Sequence, residues 1–194
     1  MATKVRLKEN MMQDGATLYR APVGTDLPPK KSTWPVEGWT EFGYTIAPFV
    51  TTRNTERSDL EVEQEDLPID STISSDSVSS STTLAELTPE HLSMAFNGTI
   101  DDSDPDVVDI YVGTTDTEPE YMIAAVGKRL DGKRMETYLF RTKVEMSGDM
   151  QYSKNDPTGI PITFLTYVDT NRPAGQNKMA FRIYKSNVNA ESSD

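Results

Sequence analysis

The sequence predicts a mainly β fold with one short α-helix packed against its sheet, a long loop and terminal arms. Three observations carry this. Short apolar runs bounded by Gly, Pro, Asn and Asp recur along the second half of the chain, the pattern of strands joined by turns. One segment alone has both a helix start and a helix stop signal. A polar run at residues 70–83 leads straight into that helix.

Residues 1–35 read as an N-terminal arm and an irregular connection. Within them, residues 1–20 read as an arm or edge strand, with Val5 and Leu7 alternating and a turn at Asp14-Gly15. Pro22, Gly24, Pro28, Pro29 and Pro35 then keep residues 22–35 irregular. A β-rich domain is expected over residues 36–185. It opens on Gly38-Trp39-Thr40-Glu41-Phe42-Gly43-Tyr44-Thr45, where aromatics beside glycines indicate core packing against close backbone. Residues 47–70 are polar and charged with Pro48 and Pro68 near the ends, and they read as a long loop, a length that in compact domains goes with function or disorder.

The run at 70–83 is Ser/Thr-rich and nearly devoid of apolar residues. It has tolerable strand character, but an apolar face cannot be what holds it. Neighbouring strands must cover it, from the same copy or another. Its exit is a helix at 88–97: Thr88 is a good N-cap, Pro89 suits the first helical position and Glu90 complements the helix dipole. Leu92, Ala95 and Phe96 come next at helical spacing, and Asn97-Gly98 supplies the stop. His91, in the first turn, is expected at the surface.

Residues 99–120 form an acidic loop region from which Val107 to Val112 can make a strand. Tyr121 to Leu130 makes another, and Asp131-Gly132 turns it into Met135 to Met146, where Tyr138, Phe140, Val144 and Met146 are read as one face. After a turn at Asn155-Asp156-Pro157-Thr158-Gly159, Ile160, Ile162, Phe164 and Val168 alternate, and Met179 to Tyr184 supplies a last strand. Residues 186–194 read as a C-terminal tail.

Composition excludes several chemistries. The 194 residues contain no Cys and only His91 as histidine, which removes disulfides, thiol nucleophiles, Cys or His zinc sites and Ser-His-Asp catalysis. Met1 to Glu9 has no apolar core of the signal-peptide kind, and no run of about 18 apolar residues exists, so neither secretion nor a membrane partner is expected. Asn97-Gly98-Thr99 is then a chance glycosylation match. No phosphate loop, dinucleotide fingerprint or nucleophile elbow occurs. Asp and Glu are plentiful, yet nothing sets two of them in an apolar cleft as glycoside hydrolysis needs. No catalytic, cofactor-binding or metal residue is nominated, and no enzyme is expected.

The net charge of −12 is unevenly placed: residues 61–120 hold 16 acidic side chains and no Lys or Arg. Such a stretch cannot grip phosphates by counterion release. It is either a solvated surface or one that faces a polyanion without holding it. Asp101-Asp102-Ser103-Asp104-Pro105-Asp106 invites a calcium reading, but an EF-hand register from Asp102 puts Val107 where glycine is required and Gly113 where the closing Glu belongs.

Taken in order, these segments resemble the tail tube (major tail) proteins of long-tailed bacteriophages. The resemblance rests on the segment from Gly38 to Thr45, on Thr83-Leu84-Ala85-Glu86-Leu87-Thr88-Pro89-Glu90-His91-Leu92, and on Ile160-Pro161-Ile162-Thr163-Phe164 leading to Asp169. Its motif positions are Trp39, Gly43, Tyr44, Leu84, Glu86 and Leu92. Phe42 stands where Leu is usual and His91 where Asn is, and residues 99–120 lie outside the pattern. The resemblance implies a β-sandwich or barrel with a flanking helix, assembled as six-membered rings that stack into a tail around a β-lined channel for DNA. It implies a ring-stacking role for the loop at 47–70, with Thr51, Arg53, Arg57, Asp59 and Glu61. It makes Ser75, Ser77, Ser79 and Ser81 candidates for an inter-subunit or channel-lining strand. The implied partners are further copies of the chain, a tape measure protein, a tail terminator and distal tail or baseplate proteins. DNA would pass without specific binding, with the virion tail as location and the host cytoplasm as the place of assembly. Two alternatives stay open: an inner tube protein of a contractile tail or injection system, and a monomeric, adhesin-like β-sandwich binding module dependent on Ca²⁺.

Overall fold

A computed structural model describes residues 15–60, 68–113, 117–152, 154 and 157–186. The order is β1 (Thr17–Pro22), β2 (Thr40–Glu41), β3 (Thr45–Leu60), β4 (Asp70–Leu84), α1 (Pro89–Phe96), β5 (Thr99–Asp104), β6 (Val107–Tyr111), β7 (Glu120–Lys128), β8 (Arg134–Met146), β9 (Ile160–Thr166) and β10 (Met179–Ile183). The main sheet is antiparallel throughout and runs β2-β1-β7-β8-β9-β4-β3, with β10 also paired to β8. β5 and β6 form a separate hairpin.

Central strands are apolar on both faces, and successive residues feed two cores. Leu18, Ile123, Ala125 and Leu139 join Phe42, Leu84, Ile160, Ile162 and Phe164 on one side. Tyr19, Met122, Ala124, Tyr138 and Phe140 join Trp39 on the other. Helix α1 covers the first core with Met94 and Ala95. The second is covered by the connection after β1, through Leu27, Trp34 and Val36. This is why β1, β7 and β8 lack a simple polar/apolar alternation: a strand buried on both faces reads as a continuous apolar run.

The helix forms where its caps place it. Thr88 is extended and its side chain accepts from His91 N, Pro89 begins the first turn, and Asn97 ends the helix in the left-handed conformation at φ 51°. The turn at Asp131-Gly132 is also present, with Gly132 at φ 78° between Lys128 and Arg134.

Four expectations are corrected. Residues 47–60, expected in a long loop at 47–70, are strand instead, because β3 extends to Leu60, and residue 70 already opens β4. Residues 17–22 are neither an arm nor an edge strand but lie within the sheet, paired to β2 on one side and β7 on the other. Tyr138 and Phe140 do not share a face with Val144. A register shift opposite residues 121–123 lets β8 carry an extra residue, and this bulge turns Val144 into the first core. His91 is buried rather than surface-exposed: it stacks on Phe42 at 5.8 Å and its Nδ1 lies 2.9 Å from Glu86 O. The acidic loop region is partly ordered as β5 and β6. Val5, Leu7, Glu61, the Asn155-Asp156 turn residues and the C-terminal tail beyond residue 186 lie outside the described residues.

Candidate assembly site

The long hairpin of β3 and β4 sets the candidate site. Near its base Thr45, Ala47 and Phe49 are half-buried in alternation, and Phe49 packs on Phe164. From residue 50 to 60 every β3 residue is exposed. The arm therefore leaves the body with water on both faces, held by its ladder to β4. The part beyond Arg53, where β9 no longer backs β4, is about seven residues at about 3.3 Å each, a projection on the order of 23 Å.

A joint at the base positions the arm. Gly43 lies at φ 75°, a conformation that disfavours any side chain. A Cβ there would collide with the Glu86 carboxylate. Glu86 Oε1 accepts from Tyr44 N at 3.0 Å, and Ala85 N donates to Tyr44 O at 2.9 Å. Three motif positions, Gly43, Tyr44 and Glu86, thus meet in one contact. Leu84 is fully buried in the first core, Leu92 packs against it, and Trp39 lies in the second. Tyr44 is 81% exposed, so its motif position serves the backbone joint while the residue stays at the surface.

The loop residues named from the sequence fall along β3. Thr51 and Ser80 hydroxyls are 2.9 Å apart, Arg57 donates to Ser71 Oγ at 3.2 Å, and Asp59 pairs in register with Ser71. Arg53 binds Asp76 through Nε at 2.8 Å, and Lys178 Nζ reaches the other oxygen of Asp76 at 2.9 Å and its main-chain carbonyl. These two cations hold the Asp76 carboxyl far below the usual carboxylate range, the hydrogen bond from Arg53 being the larger cause and that from Lys178 the next.

The four serines of β4 divide into two pairs. Ser79 and Ser81 lie between β3 and β9, half-buried, with ladder partners on both sides. Ser75 and Ser77 pair with Glu56 and Asn54 of β3, beyond the last β9 partner at Val78. Among the described residues, the β4 backbone at 70–77 keeps an edge with no ladder partner. The edge of β10 turned away from β8 is likewise unpaired in the sheet. A cleft of about 690 Å³ opens here, lined by Thr51, Arg53, Asp76, Lys178, Met179 and Phe181.

The sequence reading did not single out Glu136, the centre of a buried polar cluster. Its fully buried carboxylate accepts from Trp34 Nε1 at 3.0 Å, Tyr138 OH at 2.6 Å and Tyr184 OH at 3.2 Å. Arg134 and Arg182 neutralise it at 2.8 and 3.3 Å. Burial and the bond to Glu136 push the Tyr138 hydroxyl far above its ordinary pKa. Arg182 also donates to Pro28 O at 2.8 Å. Glu136 therefore ties the irregular 23–38 segment to β8 and β10. The only available signal was a Glu in an apolar strand with Arg134 two residues away, a spacing that puts both on one face.

Among the described residues no group of three or more His, Cys, Asp or Glu side chains converges to hold a metal, and no helix is long and apolar enough to cross a membrane. A family model described as phage tail tube protein matches residues 14–188. Among curated proteins no relative matches.

Proposed function

This chain belongs to the phage tail tube protein family, and from that membership we propose that six copies close into a ring and that rings stack into a tube for DNA passage. The protein is a structural component of the virion tail that assembles with itself into a tube, and its family is not one of enzymes. Membership sets aside the adhesin-like binding module.

The β3–β4 arm carries this proposal. An arm exposed on both faces gains little from folding on its own, and the unpaired edge at 70–77 is a ready surface for another chain. A ring of copies gives both a partner, and closure leaves no edge over. On this reading Thr51, Arg53, Arg57, Asp59 and Glu61 meet the adjacent ring. Ser75 and Ser77 face the neighbouring subunit, while Ser79 and Ser81 present a neutral hydroxyl surface to the channel. The stretch of β4 that carries these two serines has no cation, which would let DNA slide without phosphate contacts. A tape measure protein inside the tube, a terminator at one end and distal tail or baseplate proteins at the other complete the assembly, which is built in the host cytoplasm.

Negative-stain microscopy of the purified protein, alone and with tail-initiating components, tests the reading. Hollow tubes whose end views show six subunits support it. A protein that stays monomeric even with initiators present overturns it. Tubes of another symmetry overturn the six-fold ring but leave the tube role standing.

A further inference from the structure

Two surfaces of the subunit are unsatisfied in opposite senses. The β5–β6 hairpin carries Asp101, Asp102, Asp104, Asp106 and Asp109, and all its residues but Ile110 are exposed. Asp101 and Asp109 stand directly across the ladder, where like charges repel and destabilise the pair. Asp101 and Asp104 accept hydrogen bonds from the hairpin's own backbone, at Ser103 N and Asp106 N. No Lys or Arg occurs between Arg57 and Lys128, so no nearby residue in sequence answers these charges. Val107, Val108 and Tyr111 are exposed on the same hairpin. A two-stranded ribbon of this kind is marginal by itself.

The cleft between β4 and β10 has the complementary character. Arg53 and Lys178 share the single carboxylate Asp76, leaving one positive charge in excess. Beside them Met179 is half-buried and Phe181 is 57% exposed. The space, about 690 Å³, lies between two strand edges that have no ladder partner among the described residues.

We propose that the acidic β5–β6 hairpin of one subunit seats in the β4–β10 cleft of a second copy. Asp101 and Asp109 then face Arg53 and Lys178, and Val107, on the same face of the ribbon as Asp109, lies against Met179 and Phe181. The occupant is a second copy because both halves of the complementarity are on one chain. Joining two different patches of identical subunits is a heterologous contact, which propagates into rings or stacks rather than ending at a dimer. The proposal rests on the tube reading and specifies one contact within it.

The absence of cysteine makes the test clean. Val107→Cys and Phe181→Cys are introduced separately and together, tubes are assembled, and the tubes are mildly oxidised before non-reducing electrophoresis. The double variant is expected to give a ladder of disulfide-linked multimers, and a mixture of the two single variants to give dimers alone. In parallel, Asp101→Lys with Asp109→Lys is expected to reduce assembly at least tenfold, and adding Arg53→Glu to recover part of it. Tubes that form normally but give no ladder overturn this contact while leaving the tube reading intact. A wild-type protein that never forms tubes overturns both.

Discussion

Replacing Gly43 by Ala tests the joint that aims the long hairpin. The native φ of 75° costs a residue with a Cβ about 1–2 kcal/mol. The new Cβ also meets the Glu86 carboxylate, with Oε2 at 2.6 Å and Oε1 closer, so the carboxylate must swing away from Tyr44 N. That bond is exposed and charge-assisted, and losing it costs about 1 kcal/mol. Gly43→Ala is therefore expected to destabilise the subunit by about 2–3 kcal/mol, read as a lower urea midpoint at unchanged slope. Glu86→Ala alone should cost about 1 kcal/mol. With Glu86 truncated the collision disappears, so the double variant should be more stable than the sum of the singles predicts, by about 1 kcal/mol. A Gly43→Ala loss below about 0.5 kcal/mol would show that position 43 does not hold the left-handed conformation. Strict additivity would show that the Gly43–Glu86 approach is not felt.

Three further outcomes are expected. Glu136→Leu strands Arg134, Arg182 and three hydrogen-bond donors in a buried site, at about 3–5 kcal/mol. Since Trp34 and Trp39, the two tryptophans of the chain, lie at this cluster, a red-shifted emission should accompany the lower Tm. Phe164→Ala removes a fully buried ring that touches Phe42 and Phe49 and should cost about 3–5 kcal/mol by chemical denaturation. The depressed Asp76 pKa contributes stability that is fully present above the ordinary carboxylate value of 3.8 and is lost as pH falls below it towards the folded-state value. Asp76→Asn should therefore narrow its stability gap to the wild type between pH 5 and pH 2, and an unchanged gap would remove the Arg53–Asp76–Lys178 cluster from acid stability.

Legibility in the sequence tracked how local each cause was. The helix could be read from Thr88, Pro89 and Asn97 because capping acts within a few residues of the chain. Gly132 marked its turn for the same reason. The arm was hidden because a strand announces itself by burying alternate residues, and β3 buries none beyond Phe49. Its order comes from the β4 ladder, a pairing between residues up to about 40 positions apart that leaves no period in the sequence. The face shared by Tyr138 and Phe140 was legible, but Val144 was lost to it because one inserted residue inverts every later side chain.

The amino-acid sequence by itself determined the β-rich class, the helix and its ends, the cation-free block at 61–120, the exclusion of thiol and histidine chemistry, and the likeness to tail tube proteins. Each depends on residue type and short-range order. Only the tertiary structure decided that residues 47–60 form a strand, that His91 and Glu136 are buried, and that, among the described residues, Ser75 and Ser77 lack a second ladder partner while Ser79 and Ser81 have one. Burial and edge status are set by which distant strand arrives alongside. In this chain the β9 ladder stops at Val78, and among the described residues no strand continues it along that edge of β4.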